Sequence, residues 1–185
     1  MDSIQDKLKN MISVERYNHS IGVQETAIKL ADRYGANSNK ASIAGLVHDC
    51  AKGLNHDEML KAAKKYGIEV NDVTKSQPGL LHGPVGSCMA RELFSINDEE
   101  VLHAIWYHTT GCRDMSLLDK IIYIADYIEP SRDFKGVDKL RAAAFQDIDR
   151  AVLLALDNTI KFVIEKNQLL DLLTIEARNF MLVNH

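Results

Sequence analysis

Proline and cysteine are both scarce in this chain, with three of each among 185 residues. So few prolines, alongside only ten glycines, argue against a turn-rich all-β sandwich or barrel, whose many short connections draw on those residues. The cysteines, Cys50, Cys88 and Cys112, are odd in number and far apart, and no C-x-x-C pair occurs. That speaks against a disulfide framework or a zinc ribbon and for a reducing compartment. An excess of basic residues is also missing. The 22 Lys and Arg stand against 26 Asp and Glu, a net charge of −4, which leaves no electrostatic footprint for nucleic acid. No apolar run approaches the ~20 residues of a membrane span. The opening Met1-Asp2-Ser3-Ile4-Gln5-Asp6 lacks the basic and apolar regions of a signal peptide, so a cytoplasmic protein is expected. What is present, 46% hydrophobic and 26% charged residues, is ordinary for a globular protein. The length suits a single domain over residues 1–185 with a sizeable core.

The hydrophobic periodicity is helical throughout, and no strand pattern rises above it. Ile4, Leu8, Met11 and Ile12 recur at helical spacing behind Ser3, which reads as a cap. Ser13 opens a longer helix ended by Gly35, with His19, Val23, Ala27, Leu30, Ala31 and Tyr34 on one face. A third helix is expected from Ser38 to Ala51, with Ala41, Ala44, Gly45, His48 and Ala51 on a small inward face and Gly53 as its stop. Asn55 to Glu58 has the form of a capping box for a short helix ending at Gly67, residues 68–81 read as irregular, and Pro84 falls near the start of the next helix. Asn97 to Glu100 caps a helix with Val101, Ile105 and His108 in one stripe, broken at Thr109-Thr110-Gly111. Further helices are expected over residues 116–129, stopped by Pro130, over 137–145, over 147–166, and over 175–183 behind Thr174 as cap. The expected fold is an all-α single-domain bundle.

Chemistry concentrates around Gly45-Leu46-Val47-His48-Asp49-Cys50-Ala51-Lys52-Gly53. A neutral imidazole beside a carboxylate is a good donor pair for a borderline divalent metal. His19, His82, His108 and Asp126 sit, like His48 and Asp49, on inward helix faces or at helix ends beside them, whereas His56, His103 and His185 do not. Side chains from facing helices can converge on a metal in a bundle core. Six nitrogen and oxygen donors exceed the four that tetrahedral zinc takes. They suit two ions sharing a bridging carboxylate, and Asp49 is the natural bridge. With no cysteine required, iron or manganese fits the donor set. Such a pair supports metal-assisted hydrolysis of a phosphoryl group.

The order H…HD…H…H…D on helices is similar to the HD-domain superfamily of metal-dependent phosphohydrolases. Longer runs resemble its YqeK family: Arg16-Tyr17-Asn18-His19-Ser20, His48-Asp49-Cys50-Ala51-Lys52, Leu81-His82-Gly83-Pro84, His108-Thr109-Thr110-Gly111, Ala125-Asp126-Tyr127-Ile128-Glu129-Pro130-Ser131-Arg132 and Thr174-Ile175-Glu176-Ala177-Arg178-Asn179. The likeness covers nearly the whole chain. It implies a symmetrical diadenosine tetraphosphate hydrolase that yields two ADP and uses two ferrous ions. It further implies His19, His48, Asp49 and Asp126 around one ion and Asp49, His82 and His108 around the other. Lys52, Thr109 and Arg132 match positions that meet phosphate, and Leu169, Leu170, Asp171, Leu172, Leu173 and Thr174 match a segment near the nucleotide. The chain departs from the family there, carrying Asp171-Leu172 in place of His-Pro.

The residues themselves agree on phosphate. Lys52 follows His48 by four positions, one helical turn. Arg132, just past the Pro130 stop, offers a guanidinium able to grip two phosphate oxygens. Arg16 and Ser20 flank His19, and Glu129 lies one turn beyond Asp126, so any of the three could orient a ligand. Cys50 reads as a small buried hydrophobe. The expected reaction is attack of a metal-bound hydroxide on an inner phosphorus of a dinucleoside tetraphosphate, with Asp49, Lys52 and Arg132 as catalytic residues. The alternatives are hydrolysis of another nucleotide or a non-catalytic nucleotide-binding regulatory module. Neither a membrane nor a nucleic-acid partner is expected, and a homodimer is compatible with the helical surface.

Overall fold

The computed structural model describes residues 2–184, with side chains from Ile4 onward. Eleven α-helices run through them: α1 Asp2–Lys9, α2 Val14–Tyr34, α3 Ser38–Val47, α4 His56–Lys65, α5 Asp72–Ser76, α6 His82–Phe94, α7 Glu99–Tyr107, α8 Leu117–Ile128, α9 Val137–Gln146, α10 Ile148–Glu165 and α11 Leu172–Asn184. No strand occurs among the described residues, so the all-α expectation holds. Among the described residues no helix is long and apolar enough to cross a membrane. The capping role expected of the Ser3 side chain lies outside the described residues.

The bundle is built around α8. Leu118, Ile121, Ile122, Tyr123, Ile124, Ala125 and Ile128 are all buried, and a helix that is apolar nearly all round belongs at a core. Helices α2, α3, α7 and α10 pack against it, with α9 and α11 against α10. Small residues let α2 and α3 touch backbone to backbone. A Cβ added at Gly45 would stand 2.9 Å from Gln24 Cα and 3.2 Å from the Val23 carbonyl. The same logic joins α6 to α7, where a Cβ on Gly83 would lie 2.6 Å from the Trp106 carbonyl. These two crossings bring the ends of α3 and α7 and the start of α6 to one point.

Most helix limits follow local chemistry. Ser13 accepts the Arg16 N–H at the head of α2, and Gly35, at φ 71°, closes it in the left-handed conformation. The Asn55–Glu58 capping box is present. Four expectations need correction. Helix α3 ends at Val47, not Ala51, because Cys50 N–H bonds the Val47 carbonyl and Lys52 N–H the Asp49 carbonyl in tight three-residue turns. Gly53 is not a left-handed stop there; a Cβ on it would run into the Met11 carbonyl. Residues 68–81 are not irregular, since Asn71 and Thr74 form a second capping box for α5 and Pro78–Leu81 is a 3₁₀ turn. A five-residue helix is too short to register in a periodicity window. Finally, α11 opens at Leu172, where Asp171 Oδ1 accepts the Leu173 N–H at 2.9 Å, so Thr174 lies inside the first turn instead of capping it.

Candidate metal centre

Four imidazoles and two carboxylates converge at this point. His19 comes from α2, His48 and Asp49 follow α3, His82 begins α6, His108 follows α7, and Asp126 lies on α8. His48 is fully buried, Asp49, His82 and His108 nearly so, and His19 is 8% exposed.

Backbone carbonyls set the aim of three rings. The last carbonyls of a helix lack partners within it. His48 Nδ1 donates to the Gly45 carbonyl at 2.8 Å and His108 Nδ1 to the Ile105 carbonyl at 2.7 Å. His82 makes the same bond to the Gly79 carbonyl of the 3₁₀ turn. A carbonyl can only accept, so each proton stays on Nδ1 and each Nε2 lone pair points inward. His19 is oriented by a carboxylate instead, with Nδ1 3.0 Å from Glu129 Oε1. Glu129 is itself held, accepting the Ser131 N–H at 2.7 Å and the Ser131 hydroxyl. Gly22 makes room for it, since a Cβ there would lie 2.7 Å from Glu129 Oε2.

Asp49 stands between the rings with its two oxygens divided among them. Oδ2 faces His48 Nε2 at 3.6 Å and His19 Nε2 at 3.8 Å, while Oδ1 faces His82 Nε2 at 3.3 Å and His108 Nε2 at 3.4 Å. Asp126 Oδ1 adds to the first side, 2.9 Å from His19 Nε2 and 3.8 Å from His48 Nε2.

The electrostatics ask for cations. Burial raises the Asp49 carboxyl, but His48, His108 and His82 outweigh it and hold its pKa well below the usual range. Asp126 is likewise lowered, burial being overcome by its hydrogen bond to His19 and the charges of His48 and Arg132. Burial brings His48 down to about 4 and also lowers His82, so both rings are neutral donors at neutral pH. For His19 burial is outweighed by Asp126 and Glu129, and its pKa is raised.

The residues fit a pair of divalent ions. The buried Nε2 atom of His48 makes no hydrogen bond, and its near neighbours are the carboxylate oxygens of Asp49 and Asp126 at 3.6 and 3.8 Å. The Nε2 atoms of His82 and His108 stand 2.9 Å apart, and two lone pairs at that separation are favourable only around a shared cation. Two triads, His19–His48–Asp126 and His48–Asp49–His108, each have donor atoms within 4.8 Å of one another.

Arginines line the carboxylates. Arg16 Nη1 lies 2.9 Å from Asp49 Oδ2. Arg132 bonds the Asp126 carbonyl at 2.9 Å and Asp126 Oδ1 at 2.6 Å. Arg141 escaped the sequence reading altogether. Its guanidinium bonds the carbonyls of Ile128, Glu129 and Arg132 at 2.9, 3.0 and 2.8 Å, which pins the loop that carries Glu129 and Arg132. No sequence signal marks it beyond an arginine in the helix after that loop. The carbonyls of Gly45, Gly79 and Ile105 were equally invisible, since backbone atoms leave no mark on side-chain patterns.

Thr109 Oγ1 stands 2.9 Å from His82 Nε2. Lys52 is exposed on the turn after Asp49, near enough for its charge to lower His82. Of the segment 169–174, Asp171, Leu172 and Leu173 line a cavity of about 310 Å³ together with Thr109 and Trp106. Leu169 is 48% exposed with its carbonyl accepting from Gln77, Leu170 does not line that cavity, and Thr174 is buried. Ser20 is buried without a hydrogen bond to any ligand. Cys50 donates to the Gly86 carbonyl, and burial pushes its thiol up to about 12, which makes it the inert packing residue expected.

Glu129→Ala is expected to weaken divalent-metal affinity ~10–100-fold, as for other groups that orient a ligand imidazole. Glu129→Gln should recover most of it, because an amide oxygen still accepts from His19 Nδ1. Competition against a chromogenic chelator reads both, and unchanged affinity in Glu129→Ala would remove Glu129 from this role.

An all-helical bundle whose core gathers imidazole lone pairs around a carboxylate defines a class, the helical metal-dependent hydrolases. The chain belongs to the HD-domain family, whose model matches residues 16–131. It is 46% identical over 161 residues to the symmetrical bis(5'-nucleosyl)-tetraphosphatase of Halalkalibacterium halodurans, covering 87% of this chain and 86% of that protein. The enzyme of the same name from Staphylococcus aureus is 39% identical over 174 residues, covering 93% and 89%. Among solved structures, an HD superfamily hydrolase from Clostridium acetobutylicum, described as involved in NAD metabolism, superposes with a TM-score of 0.97 at 50% identity, covering 100% of this chain and 97% of that one.

Proposed function

We infer that this chain is a symmetrical bis(5'-nucleosyl)-tetraphosphatase, hydrolysing diadenosine tetraphosphate to two ADP. Water adds to one inner phosphorus, the central P–O–P bond breaks, and the water proton ends on one of the two ADP products.

The observation that carries the site assignment is Asp49, whose two oxygens each face a separate histidine pair. His19, His48, Asp49 and Asp126 would hold one ion, and Asp49, His82 and His108 the other. Ferrous iron is the proposed metal, with manganese as the alternative, on the ground that the donor set is all nitrogen and oxygen. Two such ions supply Lewis-acid charge neutralisation and lower the pKa of water.

The chain's own residues do the rest. The three Nδ1–H-to-carbonyl bonds keep the rings from turning, so the donors are in place before substrate arrives. Arg132 reaches past Asp126 toward the larger of two neighbouring cavities, where its fork can hold phosphate oxygens as charge develops on the leaving diphosphate. Lys52 adds an exposed positive charge near His82, and the Thr109 hydroxyl, beside His82 Nε2, can donate to a phosphate oxygen. ADP is a good leaving group, and no side chain stands out as a general acid.

Product analysis tests the reading. Anaerobically purified protein, loaded with ferrous iron, is expected to hold about two ions per chain and to give ADP as sole product from diadenosine tetraphosphate. AMP with ATP would overturn the symmetric cut, and bound metal without turnover would move the assignment to another nucleotide or to a regulatory module.

A further inference from the structure

A cavity of about 540 Å³ opens beside the metal centre, lined by His108, Thr109, Asp126 and Arg132 on its inner side. Its outer part is different in character. Tyr127 and Phe134 form one wall, packed edge to face with centroids 5.4 Å apart. Phe162, 55% exposed, stands at another. Asn158 and Thr159 on α10 and Lys135 on the loop supply polar groups between the rings. None of these six residues belongs to the donor cluster or to the segment near residue 170.

The second cavity, about 310 Å³, lies toward Trp106 and Asp171–Leu173. Thr109 is the single residue that lines both, and its hydroxyl touches His82. The two cavities therefore leave the donor cluster in different directions from one residue of the site. A symmetrical dinucleoside tetraphosphate has that shape, with two identical nucleoside arms running outward from one central phosphoanhydride. A purine has two flat apolar faces and a polar edge. Aromatic rings accept the faces, an amide and a hydroxyl answer the edge, and Lys135 and Arg132 answer the phosphates on the way in.

We propose that the larger cavity is the subsite for the second nucleoside of the substrate, with Phe162 stacking on the base and Asn158 bonding its edge. This rests on the reading of the chain as a symmetrical tetraphosphatase. The two ends of a symmetric substrate are then held by unlike walls, aromatic and open on one side, aliphatic with Trp106 on the other. Both ADP products fit the site at once, one per cavity.

The test uses Asn158→Ala/Phe162→Ala, two exposed positions on α10 outside the donor cluster, in the metal-loaded full chain. Equilibrium titration with ADP is expected to find two molecules per chain for the natural protein and one for the variant, with the affinity of the remaining molecule and the metal content unchanged. The KM for diadenosine tetraphosphate should rise about 10-fold or more, on the scale of one lost base–aromatic stack, with kcat changed much less. A single ADP on the natural protein, or an unaltered KM in the variant, overturns the subsite. An equal loss of affinity for every ADP also overturns it, because that marks a general disturbance of the site. Failure of the underlying reading looks different, since the natural protein would then not convert diadenosine tetraphosphate to ADP at all.

Discussion

Asp49→Asn is expected to lose at least ~10³-fold in turnover, beyond the cost of a single electrostatic stabiliser in an active site, and to lose bound metal with it. The substitution keeps the shape of the side chain and one carbonyl oxygen. It replaces the other oxygen with an NH₂ that can only donate, against either the inward-facing lone pairs of His19 and His48 or those of His82 and His108. Whichever way the amide turns, one pair loses its shared carboxylate. Arg16 loses its charge partner at 2.9 Å as well. A thermal readout separates this from unfolding. In the natural protein, saturating divalent metal at ~100 Kd should add about 2.7 kcal/mol, a rise of roughly 5–11 °C in Tm for a chain of this size. Asp49→Asn should show little of that rise while remaining folded. Full turnover with two bound ions in the variant would remove Asp49 from the bridging position.

The second large effect is one of packing. Gly45→Ala places a methyl 2.9 Å from Gln24 Cα, against backbone that cannot swing aside. Overpacking of this kind costs about 1–3 kcal/mol, equivalent to roughly 2–12 °C in Tm. The damage should reach the chemistry. Helix α2 carries His19, and α3 delivers His48 and Asp49, so pushing the two helices apart lengthens the distances across the first ion position. Turnover is expected to fall more than the loss of folded protein explains, with metal affinity lowered in parallel. Calorimetry and metal titration on the same sample read both, and an unchanged Tm would show that the crossing has slack.

Gly45 also illustrates what local pattern can and cannot reveal. A small inward face at Ala41, Ala44, Gly45 and His48 was legible because side-chain size and helical spacing are written residue by residue. That the neighbour pressing on it is α2, at Gln24, depends on how distant segments meet. The same division runs through the site. His19, His48, Asp49, His82, His108 and Asp126 were recognisable as a set from inward placement and from resemblance. Their splitting into two pairs across the oxygens of Asp49 is geometry that only the folded bundle contains.

The periodicity and capping residues of this sequence determined an all-helical chain and most helix limits, and inward placement pointed to the proposed donor residues, because each of those rests on side-chain chemistry within a few positions. Tertiary structure decided the remainder. It set the aim of each imidazole through the carbonyls of Gly45, Gly79 and Ile105, the clamp of Arg141 on the Glu129 loop, and the two cavities that part at Thr109. The reasons differ with reach. Backbone carbonyls look alike in every residue, so neither the bond from each imidazole to the carbonyl three positions before it nor the nearby clamp of Arg141 shows in a side-chain pattern. The cavities join distant segments, such as Thr109 and Phe162, and only the packing of the helices chooses which of them meet.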